Sequence, residues 1–393
     1  MSSAPVSTTT HPLAGIETPC LVLDEDRMLH NIARLKTRLA RLGVPLRPHL
    51  KTAKSIPAAR AVMDGPGGPA AVSPLQEAEV FAAAGVKDIL YAVGVAPQKL
   101  DRVAALRRQG VNLSVVLDSL EQAAAVTAMA RMTNDRIPVL IEIDCDGHRA
   151  GVGASDPLLV EIGRALHQGD AELRGVMAHA GESYSCRSVA ALEQAAEEER
   201  AAAVACAEVL RSAGLPCPVV SVGSTPTAHF ARRLDGVTEV RAGVFVMFDL
   251  VMAGIGVCAV ADIALSVLAT VIGHRADRRW TFIDAGWMAL SRDRGTAKQP
   301  IDQGYGIVCD IDGRPYPDLI VTETNQEHGI IAVRPGSTAP QVTLPVGTRV
   351  RILPNHACAT GAQHDRYHVV SAGSDAVRQW ERFRGWSEAE LSP

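Results

Sequence analysis

The sequence predicts a parallel (β/α)8 barrel of the α/β class, followed by a second, β-rich domain. Three observations carry that prediction. Short apolar runs alternate with amphipathic helical stretches eight times from residue 46 onward, which is the pattern of a parallel barrel. Polar residues recur at or just beyond the C-terminal ends of those runs, namely Lys51, Ser73, Asp144, Arg149, His179, Ser224, Thr225 and Arg241. That end is the face on which such barrels gather working groups. After about residue 255 the helical periodicity stops. A doubly wound open sheet is the rival, but no G-x-G-x-x-G follows an early strand.

The elements follow in order. Residues 1–17 read as a flexible tail, since 1–12 are rich in Ser, Thr and Pro with no Lys or Arg and no apolar core. The barrel domain spans 18–255 and opens with a strand Cys20–Leu23 and a helix Asp24–Leu42 ahead of the eight barrel strands. Its strands are expected at Leu46–His49, Ala70–Ser73, Asp88–Val93, Asn112–Asp118, Pro138–Asp144, Leu173–His179, Val219–Gly223 and Glu239–Val244. Helices are expected between them, as at Pro74–Ala84, Ser119–Arg131, Pro157–His167 and Val189–Ala213. Residues 256–393 form the β-rich domain, with strands at Ala264–His274, Trp280–Gly286, Leu319–Thr322 and Thr348–Leu353. The first strand of the chain is a candidate member of it.

Composition bounds the function. The 393 residues are 47% hydrophobic and 21% charged, enough for an extensive core. A net charge of −4 without a long basic run argues against nucleic-acid binding. The apolar stretch Val244–Gly273 is interrupted by Asp249 and Asp262, and the clear run between them is too short to cross a bilayer. Eight scattered cysteines without a C-x-x-C pair fit reduced thiols in a cytoplasmic protein.

Five features carry chemistry. Gly223-Ser224-Thr225-Pro226-Thr227, with Gly243 nearby, offers hydroxyls and amides where barrels bind phosphate, or else an ordinary Ser/Thr helix cap. Lys51 follows the first barrel strand, where a buried lysine can lose its proton and form a Schiff base; the alternative is a surface charge. Lys54 competes for that role and reads as solvated. His356-Ala357-Cys358 sits beyond Leu353, and in extended chain both side chains point to one side, so imidazole and thiolate could reach one Zn²⁺. Alone, H-x-C is a weak signal. His179 reads as a general base or as a neutral core histidine. Asp144, Asp146, His148 and Arg149 are close enough to suggest a carboxylate metal site, although Asp146-Gly147 reads as a turn and Arg149 as a donor to a cofactor oxygen.

Together, Arg47-Pro48-His49-x-Lys51-Thr52, His179-Ala180-Gly181-x-Ser183-Tyr184, Gly223-Ser224-Thr225-Pro226-Thr227, Glu239-Val240-Arg241-x-Gly243 and Pro354-Asn355-His356-x-Cys358 resemble the D-serine dehydratase-like family. These are pyridoxal-phosphate enzymes of the alanine-racemase fold, with D-threonine aldolases as relatives. Trp287–Thr296 and Asn325–Gly329 resemble the branch that acts on D-threo-3-hydroxyaspartate. The resemblance implies that Lys51 is the Schiff-base lysine and the base for the α-proton. It assigns the cofactor phosphate to Tyr184, Gly223, Ser224, Thr225 and Gly243, the phenolic oxygen to Arg149, and the pyridine nitrogen to Arg241. His356 and Cys358 would hold a divalent metal, Zn²⁺ first, with Mn²⁺ or Mg²⁺ as alternatives.

The implied reaction is loss of water from a D-3-hydroxy amino acid, giving oxaloacetate and ammonia from D-threo-3-hydroxyaspartate or pyruvate and ammonia from D-serine. Arg292 and Arg294 would pair with a side-chain carboxylate, or else they are a solvated loop. The rival reaction is aldol cleavage to glycine and an aldehyde. The family's aldolases tend to carry His-x-Asp where this chain has Cys358. A non-catalytic cofactor-binding protein is the third reading, against which the β-rich domain counts. The fold relatives imply a homodimer with no nucleic-acid or membrane partner.

Overall fold

Apolar, β-branched runs pair into two separate sheets, and the computed structural model describes residues 11–384 and 386 of the chain. β1 (Cys20–Asp24) and α1 (Glu25–Arg41) come first. Alternation then runs through β2 (Leu46–Pro48), α2 (Ile56–Val62), β3 (Ala70–Val72), α3 (Leu75–Ala83), β4 (Asp88–Gly94), α4 (Leu100–Arg108), β5 (Asn112–Leu117), α5 (Leu120–Thr133), β6 (Pro138–Ile143), α6 (Pro157–Gln168), β7 (Glu172–Ala178), α7 (Val189–Ser212), β8 (Val219–Val222), α8 (Thr225–Phe230) and β9 (Glu239–Ala242).

Strands β2 to β9 are parallel, in the order β2-β9-β8-β7-β6-β5-β4-β3. A parallel bridge between His49 and Ala71 joins the two ends, and the Leu50 N–H donates to the Ala71 carbonyl at 2.9 Å. The barrel is closed, so its strands have no free edge. Ala71, Leu90, Val116, Leu140 and Met177, one from each of β3 to β7, pack as one buried cluster. Helices start where a polar side chain caps them: Ser119 accepts from Gln122 N, Asp156 from Leu158 N, and Ser188 from Ala191 N.

The remaining elements are α9 (Leu250–Gly254), β10 (Leu265–Arg275), β11 (Trp280–Ile283), α10 (Trp287–Leu290), β12 (Ile307–Cys309), β13 (Pro315–Thr324), β14 (Gly329–Val333), β15 (Arg349–Leu353), α11 (Ala357–Gly361), β16 (Arg366–Val370) and β17 (Arg378–Glu381). The nine-stranded sheet runs β11-β14-β13-β12-β15-β10-β1-β16-β17, and β11 also pairs with β10. Six strands therefore close into a ring, from which β1, β16 and β17 extend. Helical turns do persist beyond residue 255, but α10 and α11 are each about one turn long.

The unit boundaries differ from those expected. The β-rich unit takes the chain up to Met28, then Met247–Gly254 and Val260–Glu381; the barrel unit takes Leu29–Val246, Ile255–Ala259 and the chain from Arg382. β1 thus lies in the β-rich sheet, antiparallel to β10 and parallel to β16. At the other end the chain returns to the barrel, where Phe383 meets Phe81 edge to face at 5.2 Å. Residues 1–10 of the expected tail lie outside the described residues. From His11 on it is anchored: Leu13 is fully buried with Cys20, Val22 and Leu268, and Arg349 donates to the Ile16 carbonyl at 2.6 Å. Within 244–273, as elsewhere among the described residues, no helix is long and apolar enough to cross a membrane.

Leu13→Ala should therefore destabilise the β-rich unit by about 2–5 kcal/mol in urea denaturation. No change would mean that this segment contributes no packing.

Candidate active site

At the barrel mouth the loop after β2 carries Lys51, which is exposed. The burial expected of this lysine is not found, because the turn lifts it off the strand end. Its backbone N–H donates to His49 Nδ1 at 3.4 Å, so His49 carries its own proton on Nε2, directed to Ser73 Oγ at 3.2 Å. Burial first, then the cations Lys51 and Arg241 and the neighbouring His179, hold His49 well below the usual imidazole range. Lys54 is not solvated as its position suggested. Its ammonium lies 3.4 Å from the fully buried carboxylate of Glu77, which also accepts the Ser73 N–H at 2.9 Å. Lys54 is thereby committed to structure. The returning C-terminal segment covers this loop: Phe383 N–H donates to the Lys54 carbonyl at 3.0 Å, and Arg382 donates to the Ala53 carbonyl at 3.2 Å.

Across the barrel, His179 and Gly223 follow β7 and β8. His179 Nδ1 is 2.9 Å from the Gly223 carbonyl, which can only accept, so Nδ1 carries the proton. Burial lowers its pKa to about 3; the Gly223 bond opposes that shift, while Arg149, Arg241 and Lys51 reinforce it. A neutral imidazole of such low basicity is better suited to accepting a hydrogen bond than to removing a proton. That turns the general-base expectation toward the alternative one.

One residue missed in the sequence holds both loops. Glu199 of α7 is 2% exposed. Its Oε1 accepts the Ala180 N–H at 2.8 Å and the Gly223 N–H at 3.0 Å, and its Oε2 accepts from Thr227 Oγ1 at 2.7 Å. Arg241, 3% exposed, donates to Ser221 Oγ and to the Ala178 carbonyl, each at 2.6 Å.

The Ser224 hydroxyl forms the helix cap that was the plainer reading of its motif, in a capping box with Thr227. It also meets Ser183 Oγ at 2.9 Å, while Thr225 Oγ1 accepts the Phe245 N–H at 3.3 Å. Gly223 is glycine because its φ is +134° and a Cβ would run into the Arg241 carbonyl. Gly243 is glycine because a Cβ would lie 2.9 Å from the His49 carbonyl. Close strand packing, then, explains both. Tyr184 is half-buried, its ring 6.4 Å from that of His179. Arg149 is exposed, with Nε 3.5 Å from where a Gly181 Cβ would stand. Asp144 and Asp146 serve turns, accepting the Gly147 and Glu182 amides at 2.8 Å each.

In the β-rich unit, His356 and Cys358 are not on extended chain. His356 is the N-cap of α11, and Cys358 is that helix's second residue. The two side chains are nonetheless hydrogen-bonded. His356 Nδ1 meets Asp293 Oδ2 at 2.7 Å, and Asp249, 1% exposed, accepts the Ala357 N–H at 3.0 Å. Burial alone would depress His356, but Asp293, Cys358 and Asp249 overcome it and raise its pKa to about 11. This is a locus of negative potential around an imidazole and a thiol. Among the described residues no group of three or more His, Cys, Asp and Glu side chains is arranged to hold a metal, so protein ligation would rest on the pair. Arg292 is exposed and stacks on Trp287 at 4.2 Å. Arg294 is committed, 2.5 Å from Asp302 and 5.0 Å from the Tyr305 ring centre.

Comparison with known proteins follows this division. Residues 23–250 match the model of the alanine racemase N-terminal domain, and residues 264–370 that of a putative serine dehydratase domain. A D-threo-3-hydroxyaspartate dehydratase of Delftia sp. strain HT23 is 56% identical over 377 residues, covering 95% of this chain and 99% of the relative. The chain belongs to the D-serine dehydratase-like family. Its members include a D-serine dehydratase of Dictyostelium discoideum, 28% identical over 95% of this chain and 98% of the relative. The solved Delftia structure has a TM-score of 0.92, covering 96% of this chain and 100% of that one. It has also been solved as a histidine-to-alanine mutant and, in the metal-free form, as a cysteine-to-alanine mutant, the two positions lying two residues apart. D-threonine aldolase from Filomicrobium marinum has a TM-score of 0.75 at 26% identity, over 94% of this chain and 96% of that one. Dehydratases and aldolases are both lyases, and this member of the D-serine dehydratase-like family is a lyase.

The family uses pyridoxal phosphate, and the barrel residues fit it. Hydroxyls at Ser183, Tyr184, Ser224 and Thr225 are the donors a phosphate ester takes, the Gly223 and Ser224 amides being given already to Glu199 and Thr227, and Lys51 offers an amine to an aldehyde. His356 and Cys358, in their negative surroundings, fit a divalent cation.

The depressed histidines give a pH dependence. His49 and His179 are joined by His229, lowered to about 4 mainly by burial. The native state resists a proton that the unfolded chain takes up near pH 6.5. Stability is therefore present above that pH and falls as pH drops toward 4, by up to about 1.4 kcal/mol per unit for each histidine. His229→Asn should flatten the slope by about one proton in urea melts across this range; an unchanged slope would contradict the assignment.

Proposed function

We propose that the chain is a pyridoxal-phosphate- and divalent-metal-dependent lyase that removes water from a D-3-hydroxy amino acid, with D-threo-3-hydroxyaspartate ahead of D-serine. One observation carries the reading. His356 and Cys358 stand two residues apart in a chain 56% identical, over 95% of its length, to a dehydratase whose histidine and cysteine mutants have the same spacing and whose cysteine mutant has been solved in a metal-free form.

Bound pyridoxal phosphate would act as an electron sink for an amino acid's Cα. Lys51 would hold the cofactor at rest and take the Cα proton. Tyr184, Ser224 and Thr225, with the backbone at Gly243, would hold its phosphate, while Gly223, whose N–H and carbonyl are given to Glu199 and His179, would only let it approach the loop. Arg149 and Arg241 would supply positive charge to its phenolic oxygen and ring nitrogen. His179, neutral and with a bare Nε2, would accept a hydrogen bond and orient the substrate. A metal on His356 and Cys358, Zn²⁺ first, would supply Lewis acidity to the leaving hydroxyl.

Arg292 supports a dicarboxylic substrate, since it is exposed, lacks a carboxylate partner among the described residues, and is pre-oriented on Trp287. Arg294 does not share that role, because Asp302 already occupies it. A homodimer in the cytoplasm, without nucleic-acid or membrane partners, completes the proposal.

Cys358→Ala tests it. The variant should keep the cofactor's absorbance, lose bound metal, and release ammonia from D-threo-3-hydroxyaspartate at least ~10-fold more slowly. Metal analysis and a coupled ammonia assay read both effects. Full activity in a metal-free variant would overturn the metal's part in the reaction.

A further inference from the structure

We propose that Glu199 is a positioning residue which, through the two peptides flanking Gly223, fixes His179 in the tautomer with its proton on Nδ1 and its Nε2 a bare acceptor. This rests on the catalytic reading of the barrel mouth given above. Gly223 has no side chain to restrain it and a φ of +134°, so the direction of its carbonyl must come from its hydrogen bonds. Glu199 supplies them on both sides. The peptide before Gly223 is held directly, its N–H 3.0 Å from Glu199 Oε1. The peptide after it is held through Thr227: the Ser224 N–H donates to Thr227 Oγ1 at 3.0 Å, and that hydroxyl donates to Glu199 Oε2 at 2.7 Å. With both planes set, the Gly223 carbonyl faces His179 Nδ1 at 2.9 Å.

The same carboxylate holds the imidazole's own backbone, since Oε1 also accepts the N–H of Ala180, the next residue, at 2.8 Å. The bonds therefore form a closed circuit from Glu199 through Gly223 and His179 and back through Ala180. The charged groups facing His179 are Arg149, Arg241 and Lys51, all cations, and none of them offers Nδ1 a competing acceptor. In this tautomer His179 can accept a hydrogen bond from a substrate N–H or O–H through Nε2 and cannot donate one. Glu199 thus controls the polarity of a group that it does not touch.

The test is ¹⁵N NMR of the full-length, cofactor-bound protein labelled in histidine, with His179→Gln to assign the signal. Wild type should show Nδ1 protonated and Nε2 bare, without titration between about pH 5 and 8. Glu199→Gln should keep that signature, because a glutamine oxygen can accept both amides while its NH₂ meets Thr227. Glu199→Met, which offers no comparable acceptor, should shift the signal toward the Nε2–H tautomer, and Thr227→Val, which cuts one arm, should shift it partly. A wild-type proton on Nε2, titration of His179 within that range, or an unshifted Thr227→Val or Glu199→Met spectrum would each overturn the proposal. Should the Met variant fail to fold, wild type and Thr227→Val still decide. The spectra need no substrate, so a missing dehydratase activity would sink the functional reading and leave this result separate.

Discussion

A single buried carboxylate organises the mouth of the barrel. Glu199 accepts from two backbone amides and one hydroxyl, the amides in the loops after β7 and β8 and the hydroxyl in the first turn of α8. Burial pushes its pKa up, while Thr227, Ala180, Arg241 and Gly223 pull the other way. A carboxylate buried without such partners would cost several kcal/mol, so the loops and the carboxylate stabilise one another. The position of His179, the conformation of Gly223 and the cap at Ser224 all depend on it.

The β-rich unit repeats the device. Asp249 is buried, accepts the Met252 N–H at 3.0 Å through one oxygen, and accepts the Ala357 N–H at 3.0 Å through the other. Ala357 stands between the two residues proposed as metal ligands. In both units, then, groups with chemistry to perform sit on a loop or at the first turn of a short helix whose backbone is tied to an inaccessible carboxylate. Such anchoring fixes the backbone from which the working side chains project, which is what a ligand-bearing site requires.

Much of this was legible in the sequence, and the exceptions have physical reasons. The barrel strands could be read because each is a short apolar run ending in polar residues, and Lys51, His179, Ser224 and Arg241 marked their C-terminal ends. Glu199 could not be read. It lies in the acidic run Glu197–Glu199, where one carboxylate pairs with Arg200 and Arg233 at the surface and the next but one faces inward. Helical phase distinguishes them, but only the packing of α7 shows which face is buried. Asp249 looked like an interruption of an apolar segment, although its burial is what makes it useful. Lys54 looked solvated because its partner Glu77 is distant in sequence. The strands β12, β14, β16 and β17 lack the alternation with helices that made barrel strands of only three residues legible, and the return of the chain at Arg382 to the barrel is a tertiary contact with no local signal. His356 and Cys358, read as metal ligands on extended chain, are brought together instead by the first turn of a short helix.

In the proposed reaction this lyase breaks a C–O bond and leaves the carbon skeleton intact. The most direct measurement is a carbon balance after incubating purified protein, its cofactor and a divalent metal with D-threo-3-hydroxyaspartate. Oxaloacetate and ammonia are expected in equal amounts, with no glycine. Glycine and glyoxylate in equal amounts would contradict it, placing the cleavage at Cα–Cβ and making the chain an aldolase.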